Sequence, residues 1–149
     1  MTGRPHFAQI MVEKGYAASY RQAFDDYLDE SAKGYVYRRE PEFAEGVARI
    51  RKAGGIASLA HPVRVRADIP SLLPELCAAG MNALEAYHSD HERSDTELYL
   101  TLATSYGLMV TGGSDFHGSV KPGVCLGTGY HNNLHIPADL IDRLRQHAR

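Results

Sequence analysis

The sequence predicts an α/β fold in which three parallel strands alternate with helices. Three observations predict it. A helical stretch, a glycine stop and a short apolar strand follow one another three times between residues 43 and 117. His61, His88 and Asp115, which end those strands, stand 27 positions apart, an interval that suits parallel strands joined by helical crossovers. The polar residues also fall at the C-terminal strand ends, where parallel α/β folds gather their chemistry.

The elements can be justified in order. "GRPHFAQIMVEKG" predicts a short helix near the N-terminus. Ser19 and Gln22 form a capping-box pair for a helix with Tyr20, Phe24, Tyr27 and Leu28 on one face. "FAEGVARIRKAGG" places Phe43, Val47 and Ile50 at helical spacing before Gly54 and Gly55, and "IASLAHP" is the first strand. "SLLPELCAAG" is the next helix and "MNALEAYH" the next strand. "TELYLTLATSYG" sets Leu98, Leu102 and Tyr106 on one face, and "LMVTGGSDFH" is the third strand. "IPADLIDRLRQHAR" closes the chain as an amphipathic helix with Leu140, Ile141 and Leu144 inward. The expected organisation is a single partial domain: a helical segment over residues 1–40, then βα units and a closing helix over 41–149. Three strands are few, since a complete (βα) barrel runs to roughly 200 residues or more. The chain therefore reads as part of a barrel.

At 149 residues and 44% hydrophobic, the chain can bury one core. A net charge of −2 gives no global field for nucleic acid or acidic membrane. Cys77 and Cys125 lie far apart and suggest neither a disulfide framework nor a CxxC metal site. With no signal-like N-terminus and no long apolar run, a cytoplasmic protein with no membrane partner is expected.

Asp115 and His117 are the first candidates for chemistry, because residues two apart share a face of an extended segment and carboxylate plus imidazole can ligate one ion. Gly112 and Gly113 would permit close approach, and Ser114 could orient the carboxylate. Alone, this motif suits a strand-end turn equally well. His61 in "LAHP" ends another strand, and Glu85, His88 and His91 cluster at the middle strand's end. Ligand-type residues at three adjacent strand ends point to a metal site, and mixed N/O donors suit Mn²⁺, Fe²⁺ or Zn²⁺. Arg64 could grip a phosphate in bidentate fashion; Arg66, His131 and His135 read as solvated residues. The Tyr35–Arg39 stretch could meet single-stranded RNA, against a polar loop as the plainer reading.

Taken in order, "GRPHFAQIMVEKGYAAS", "AGGIASLAHP", "LEAYHSDH" and "GLMVTGGSDFHG" resemble the PHP (polymerase and histidinol phosphatase) family of phosphoesterases. The likeness is greatest to the branch with nucleoside 3′,5′-bisphosphate phosphatases and 5′-to-3′ exonucleases acting on short RNA. The resemblance implies a distorted (βα)7 barrel with two or three divalent ions at its strand ends, Mn²⁺ foremost, with Zn²⁺, Fe²⁺ or Mg²⁺ as alternatives. It places His61, Asp115 and His117 at metal-ligand positions. It assigns Arg4 and His6 to a helical insertion over the substrate and, with Arg64, to phosphate or nucleotide contacts, leaving Glu85, His88 and His91 as site neighbours. The family's opening His-x-His strand and the ligands that follow it have no counterpart in these 149 residues. The chain is thus expected to match the C-terminal half of such an enzyme, as a truncation, a misplaced start or a natural half-protein.

The leading expectation is a metal-dependent phosphoesterase acting on a small phosphate ester or short oligonucleotide. The alternative is a catalytically incomplete half-domain, a binding or assembly module that needs a homodimer partner or a complementing N-terminal half.

Overall fold

The computed structural model describes residues 3–37 and 39–148, and the chain divides into two units, Met1–Glu40 and Pro41–Arg149. Arg38 of the Tyr35–Arg39 stretch lies outside the described residues.

In the first unit, α1 (Arg4–Glu13) is followed by α2 (Tyr20–Ala23) and a π-helical turn, Phe24–Leu28. Ser19 Oγ accepts the Gln22 N–H at 3.1 Å, so the N-cap forms where the sequence places it. The Gln22 side chain reaches back one residue further than expected, to the Ala18 N–H at 2.7 Å. The helix predicted beyond Ser19 keeps α geometry for only four residues. It then widens so that Asp29 N–H bonds Phe24 C=O. Ala8, Ala17 and Ala23 are buried, with Met11, Val12, Tyr20, Phe24 and Leu28 packed around them. Small residues at these three positions let the short helices approach closely.

The second unit carries the sheet. β1 (Ser58–Leu59), β2 (Ala83–His88) and β3 (Met109–Gly113) lie in that order, and both pairings are parallel. The crossovers are α4 (Ile69–Ala78), N-capped by Asp68 through the Ser71 N–H at 3.0 Å, and α5 (Arg93–Ser105). The helix before β1, α3 (Phe43–Lys52), ends at Gly54, whose φ of 78° suits a residue without Cβ. Ile69, Leu73 and Leu76 of α4 pack with Leu84 and Ala86 of β2 and with Tyr99 and Ala103 of α5. The opposite sheet face is polar: Ser58 and Thr111 share a hydrogen bond of 2.8 Å, and Glu85 belongs to the alternation that points away from the core.

Three local expectations give way. The buried face of α5 is Tyr99 and Ala103, while Leu98 and Tyr106 are exposed. Phe43 and Ile50 of α3 are also exposed, and Val47 is the buried member of that stripe. In α6 (Asp139–His147), Ile141 is exposed, with Leu140 and Leu144 half-buried. An antiparallel pair absent from the sequence reading, β4 (Val124–Cys125) and β5 (Gly129–Tyr130), follows the third strand end. Its strands are two residues each, too short to show a period.

Candidate functional site

Three strand ends converge on one polar cluster, and the backbone at each departs from regular strand geometry. His61 follows β1 with φ of 35°, and Asp115 follows β3 with φ of 53°. Both are left-handed positions that a side-chain-bearing residue seldom adopts. In β2 the pairing register slips between Glu85 and Tyr87, leaving Ala86 as an extra residue. The alternation of the strand nonetheless keeps the Glu85 side chain on the polar face and turns His88, with Leu84 and Ala86, into the interior, 3% exposed.

Glu85 Oε2 accepts the His61 N–H at 2.5 Å, tying the middle strand to the turn after the first. Burial raises the Glu85 carboxyl above its ordinary range, partly offset by that N–H. Arg64, on the turn Pro62–Arg64, donates from Nε at 2.7 Å and from Nη2 to Asp90 Oδ2. Its Nη1 meets Asp115 Oδ2 at 2.9 Å. Lys121 Nζ reaches the same Asp115 oxygen at 3.0 Å. Burial would raise the Asp115 carboxyl, but the Lys121 and Arg64 hydrogen bonds and charges outweigh it and hold it below the usual carboxylate range. Asp90 is held down in the same way by Arg64.

The histidines sort by what each Nδ1 does. His117 Nδ1 lies 2.8 Å from Asp115 C=O and His91 Nδ1 lies 2.9 Å from Ala86 C=O. A carbonyl can only accept, so Nδ1 carries the proton in both and Nε2 presents its lone pair. His88 Nδ1 instead accepts the Asp90 N–H at 3.0 Å, so the neutral ring keeps its proton on Nε2. The Nε2 atoms of His88 and His91 are buried with no hydrogen-bond partner among the described residues. The His61 and His88 ring centroids are 6.0 Å apart, and those of His88 and His91 are 5.3 Å apart. Burial pushes the His88 imidazole down to about 4.

His61, Arg64, Glu85, His88, His91, Asp115 and His117 thus belong to one cluster at the strand ends. Asp115 and His117 sit side by side, but not because the segment is extended: the left-handed turn at Asp115 brings His117 Nδ1 to 3.5 Å from Asp115 Oδ1. Ser114 does not orient the carboxylate. Its Oγ accepts the Gly127 N–H at 3.0 Å and its carbonyl accepts Ser89 Oγ–H at 2.7 Å. Gly112 serves packing rather than ligand approach, since a Cβ there would stand 2.8 Å from Tyr87 Cβ.

The other two candidates belong to the first unit. The Gly3 N–H donates to His6 Nδ1 at 3.0 Å, capping α1, and Arg4 Nη1 donates to Leu28 C=O at 3.2 Å. Arg4 also lines a cavity of about 870 Å³ with Phe7, Phe24, Tyr35 and Tyr37.

The donor chemistry at the strand ends fits a divalent ion: a carboxylate held ionised, and an imidazole whose Nε2 lone pair is left open by a backbone-bound Nδ1. Among the described residues, however, no three His, Cys, Asp or Glu side chains gather into one coordinating group.

No family model matches the chain. Among characterised proteins, it is 34% identical over 120 residues to a 3′,5′-nucleoside bisphosphate phosphatase of Chromobacterium violaceum, a match covering 78% of this chain and 42% of that protein. It is 30% identical over 139 residues to a phosphoribosyl 1,2-cyclic phosphate 1,2-diphosphodiesterase of Eggerthella lenta, covering 91% and 49%. A Bifidobacterium adolescentis crystal structure bearing the name metal-dependent phosphoesterase superposes with a TM-score of 0.74 at 31% identity, over 99% of this chain and 51% of that one. The chain resembles the C-terminal half of PHP-type phosphoesterases. An amidohydrolase structure from Chromobacterium violaceum, solved with sulfate and no metal, superposes with a TM-score of 0.68 at 28% identity, again over 51% of its length. The chain therefore spans about half the length of the relatives it matches, and its fold superposes on a corresponding half of the two solved structures.

Sequence reasoning missed two members of the cluster. Asp90 carried a weak signal, lying inside "YHSDH". Lys121 carried none, because the turn Gly118–Val120 delivers it to Asp115 without any periodic pattern.

Proposed function

We propose that this chain supplies the C-terminal half of a divalent-metal-dependent phosphoesterase acting on nucleotides or short oligonucleotides. The observation that carries the reading is the Arg64–Asp115–His117 contact at the strand ends, with the His61 turn tied to the same edge through its N–H to Glu85. The named activities of the relatives, all on phosphate esters, support it. His61, Asp115 and His117 would hold the ion, with Mn²⁺ the leading candidate. Such an ion supplies charge neutralisation and a more acidic water.

The protein's own residues do the positioning. Arg64, fixed on two edges by Asp90 and Asp115, presents a planar guanidinium to phosphate oxygens. The Glu85 carboxylate holds the His61 turn in place, and His88 and His91 frame the cluster from the interior. Arg4 and His6 are assigned to phosphate or nucleotide contact, and the cavity of Phe7, Phe24, Tyr35 and Tyr37 suits a stacked base. Sulfate in the Chromobacterium amidohydrolase is consistent with an anion-binding site of phosphate shape.

A second reading rests on the half-length matches: the chain acts only when a homodimer partner or a separate N-terminal half completes the ligand set. One experiment separates the two. Phosphate release from adenosine 3′,5′-bisphosphate by this chain with Mn²⁺, blanked by EDTA, is expected to be chelator-sensitive. His117→Ala should reduce it by more than about a hundredfold, beyond what outer-sphere changes usually bring. No release would favour the half-domain, and chelator-insensitive release would refute the metal-dependent reading.

A further inference from the structure

Lys121 is the cluster's most constrained unassigned charge. Its side chain is 24% exposed, and its Nζ stands 3.0 Å from Asp115 Oδ2 and 5.4 Å from the Tyr130 ring centroid. Tyr130 is itself fixed: its N–H donates to Asn133 Oδ1 at 2.8 Å, and Asn133 Nδ2 donates to Ser89 C=O at 2.8 Å. The ammonium, delivered by the turn Gly118–Val120, is therefore backed by a braced hairpin residue rather than left on a free surface chain.

Both cations of the cluster meet the same Asp115 oxygen, Arg64 Nη1 at 2.9 Å and Lys121 at 3.0 Å, while Oδ1 faces His117. Arg64 has a second carboxylate, Asp90, which engages its Nε and Nη2. Within the ion-paired set of Arg64, Lys121, Asp90 and Asp115, two cations and two carboxylates balance, so these four groups exert no net pull on an anion while Asp115 keeps its charge. Once that charge is cancelled, one positive charge is left over, and it falls on the ammonium, which has three donors and no carboxylate of its own.

We propose that Lys121 is a phosphate-binding residue held in reserve on Asp115, and that neutralising Asp115 frees it to grip a phosphate-type anion together with Arg64. The inference rests on the reading above, in which Asp115 takes a cation. It adds that cation and phosphate uptake are coupled through Lys121: each favours the other.

The test can be made without metal. In EDTA, inorganic phosphate is titrated into the chain and followed by amide chemical shifts. Asp115→Asn, which removes the charge but keeps the shape, should bind phosphate about tenfold more tightly than wild type, the worth of one charge-assisted hydrogen bond. Adding Lys121→Gln should abolish that gain, whereas adding Lys121→Arg should keep it. A gain that is absent, or that survives Lys121→Gln, would overturn the inference and identify Lys121 as a structural ion-pair partner only. Should Asp115→Asn lose its folded spectrum, the comparison moves to Mn²⁺-loaded wild type against Lys121→Gln. There phosphate affinity should fall about tenfold in the variant, and equal affinities would overturn the inference. Mn²⁺ uptake by wild type is a separate readout: its absence counts against the metal reading and leaves the metal-free titration to decide Lys121.

Discussion

His88 and Asp115 occupy corresponding positions in the sequence rhythm, yet the structure treats them in opposite ways. Asp115 is kept charged by two cations, whereas His88 is kept neutral by burial, with its pKa pushed down to about 4. The unfolded His88 titrates near 6.5, so between that value and 4 the unfolded chain binds the extra proton and stability falls as pH falls. The contribution is complete above about pH 6.5, and its loss by pH 4 is on the order of 3 kcal/mol. Asp90 and Asp115, with depressed values, lose their contribution only at more acid pH, below the ordinary carboxylate range. Urea unfolding at pH 7 and pH 5 should therefore show a lower midpoint at pH 5, and His88→Gln should flatten that difference. Equal midpoints in wild type would rule out a His88 buried as the neutral ring. The sequence marked His88 as a site neighbour, but it lies on the buried face of β2 with Leu84 and Ala86.

At the level of elements, periodicity located α3 to α6 and the three strands of the parallel sheet, though not β4 and β5, since an apolar stripe and a glycine stop are local signals. Which stripe is buried depends on where the sheet lies. Tyr99 and Ala103 meet β2, so Leu98 and Tyr106, equally well spaced, are left exposed. Gly112 tests the sheet directly. An added Cβ would stand 2.8 Å from Tyr87 Cβ, 3.1 Å from Tyr87 O and 3.2 Å from Ile136 Cδ1. Since part of that crowding is backbone, the strands must shift. Gly112→Ala is expected to destabilise by about 1–3 kcal/mol, an overpacking effect. Chemical denaturation measures it, and an unchanged midpoint would mean that β2 and β3 pack less closely than described.

For the whole molecule, the governing fact is that its relatives are about twice as long as the stretch they share with it. Among the described residues no helix is long and apolar enough to cross a membrane. A site distributed over three strand ends couples ion binding to the folded state alone, because no unfolded chain brings those ends together. On the proposed reading, Mn²⁺ at about a hundred times its dissociation constant should raise the melting temperature by about 5–10 °C over an EDTA control. His117→Ala should shrink that shift. An identical shift in the variant would mean that Mn²⁺ binds somewhere else.

The sequence by itself determined the alternation of helix and strand, the parallel order, and the positions of His61, Arg64, Asp115 and His117 at the strand ends, because caps, stops and periods are written within a few residues. The tertiary structure decided what those residues meet. Arg64, Asp90 and Asp115 meet from three separate strand ends, and Lys121 reaches Asp115 from the turn after β3. Contacts between segments dozens of residues apart leave no period in the chain. They exist only once the sheet has set the three strand ends side by side.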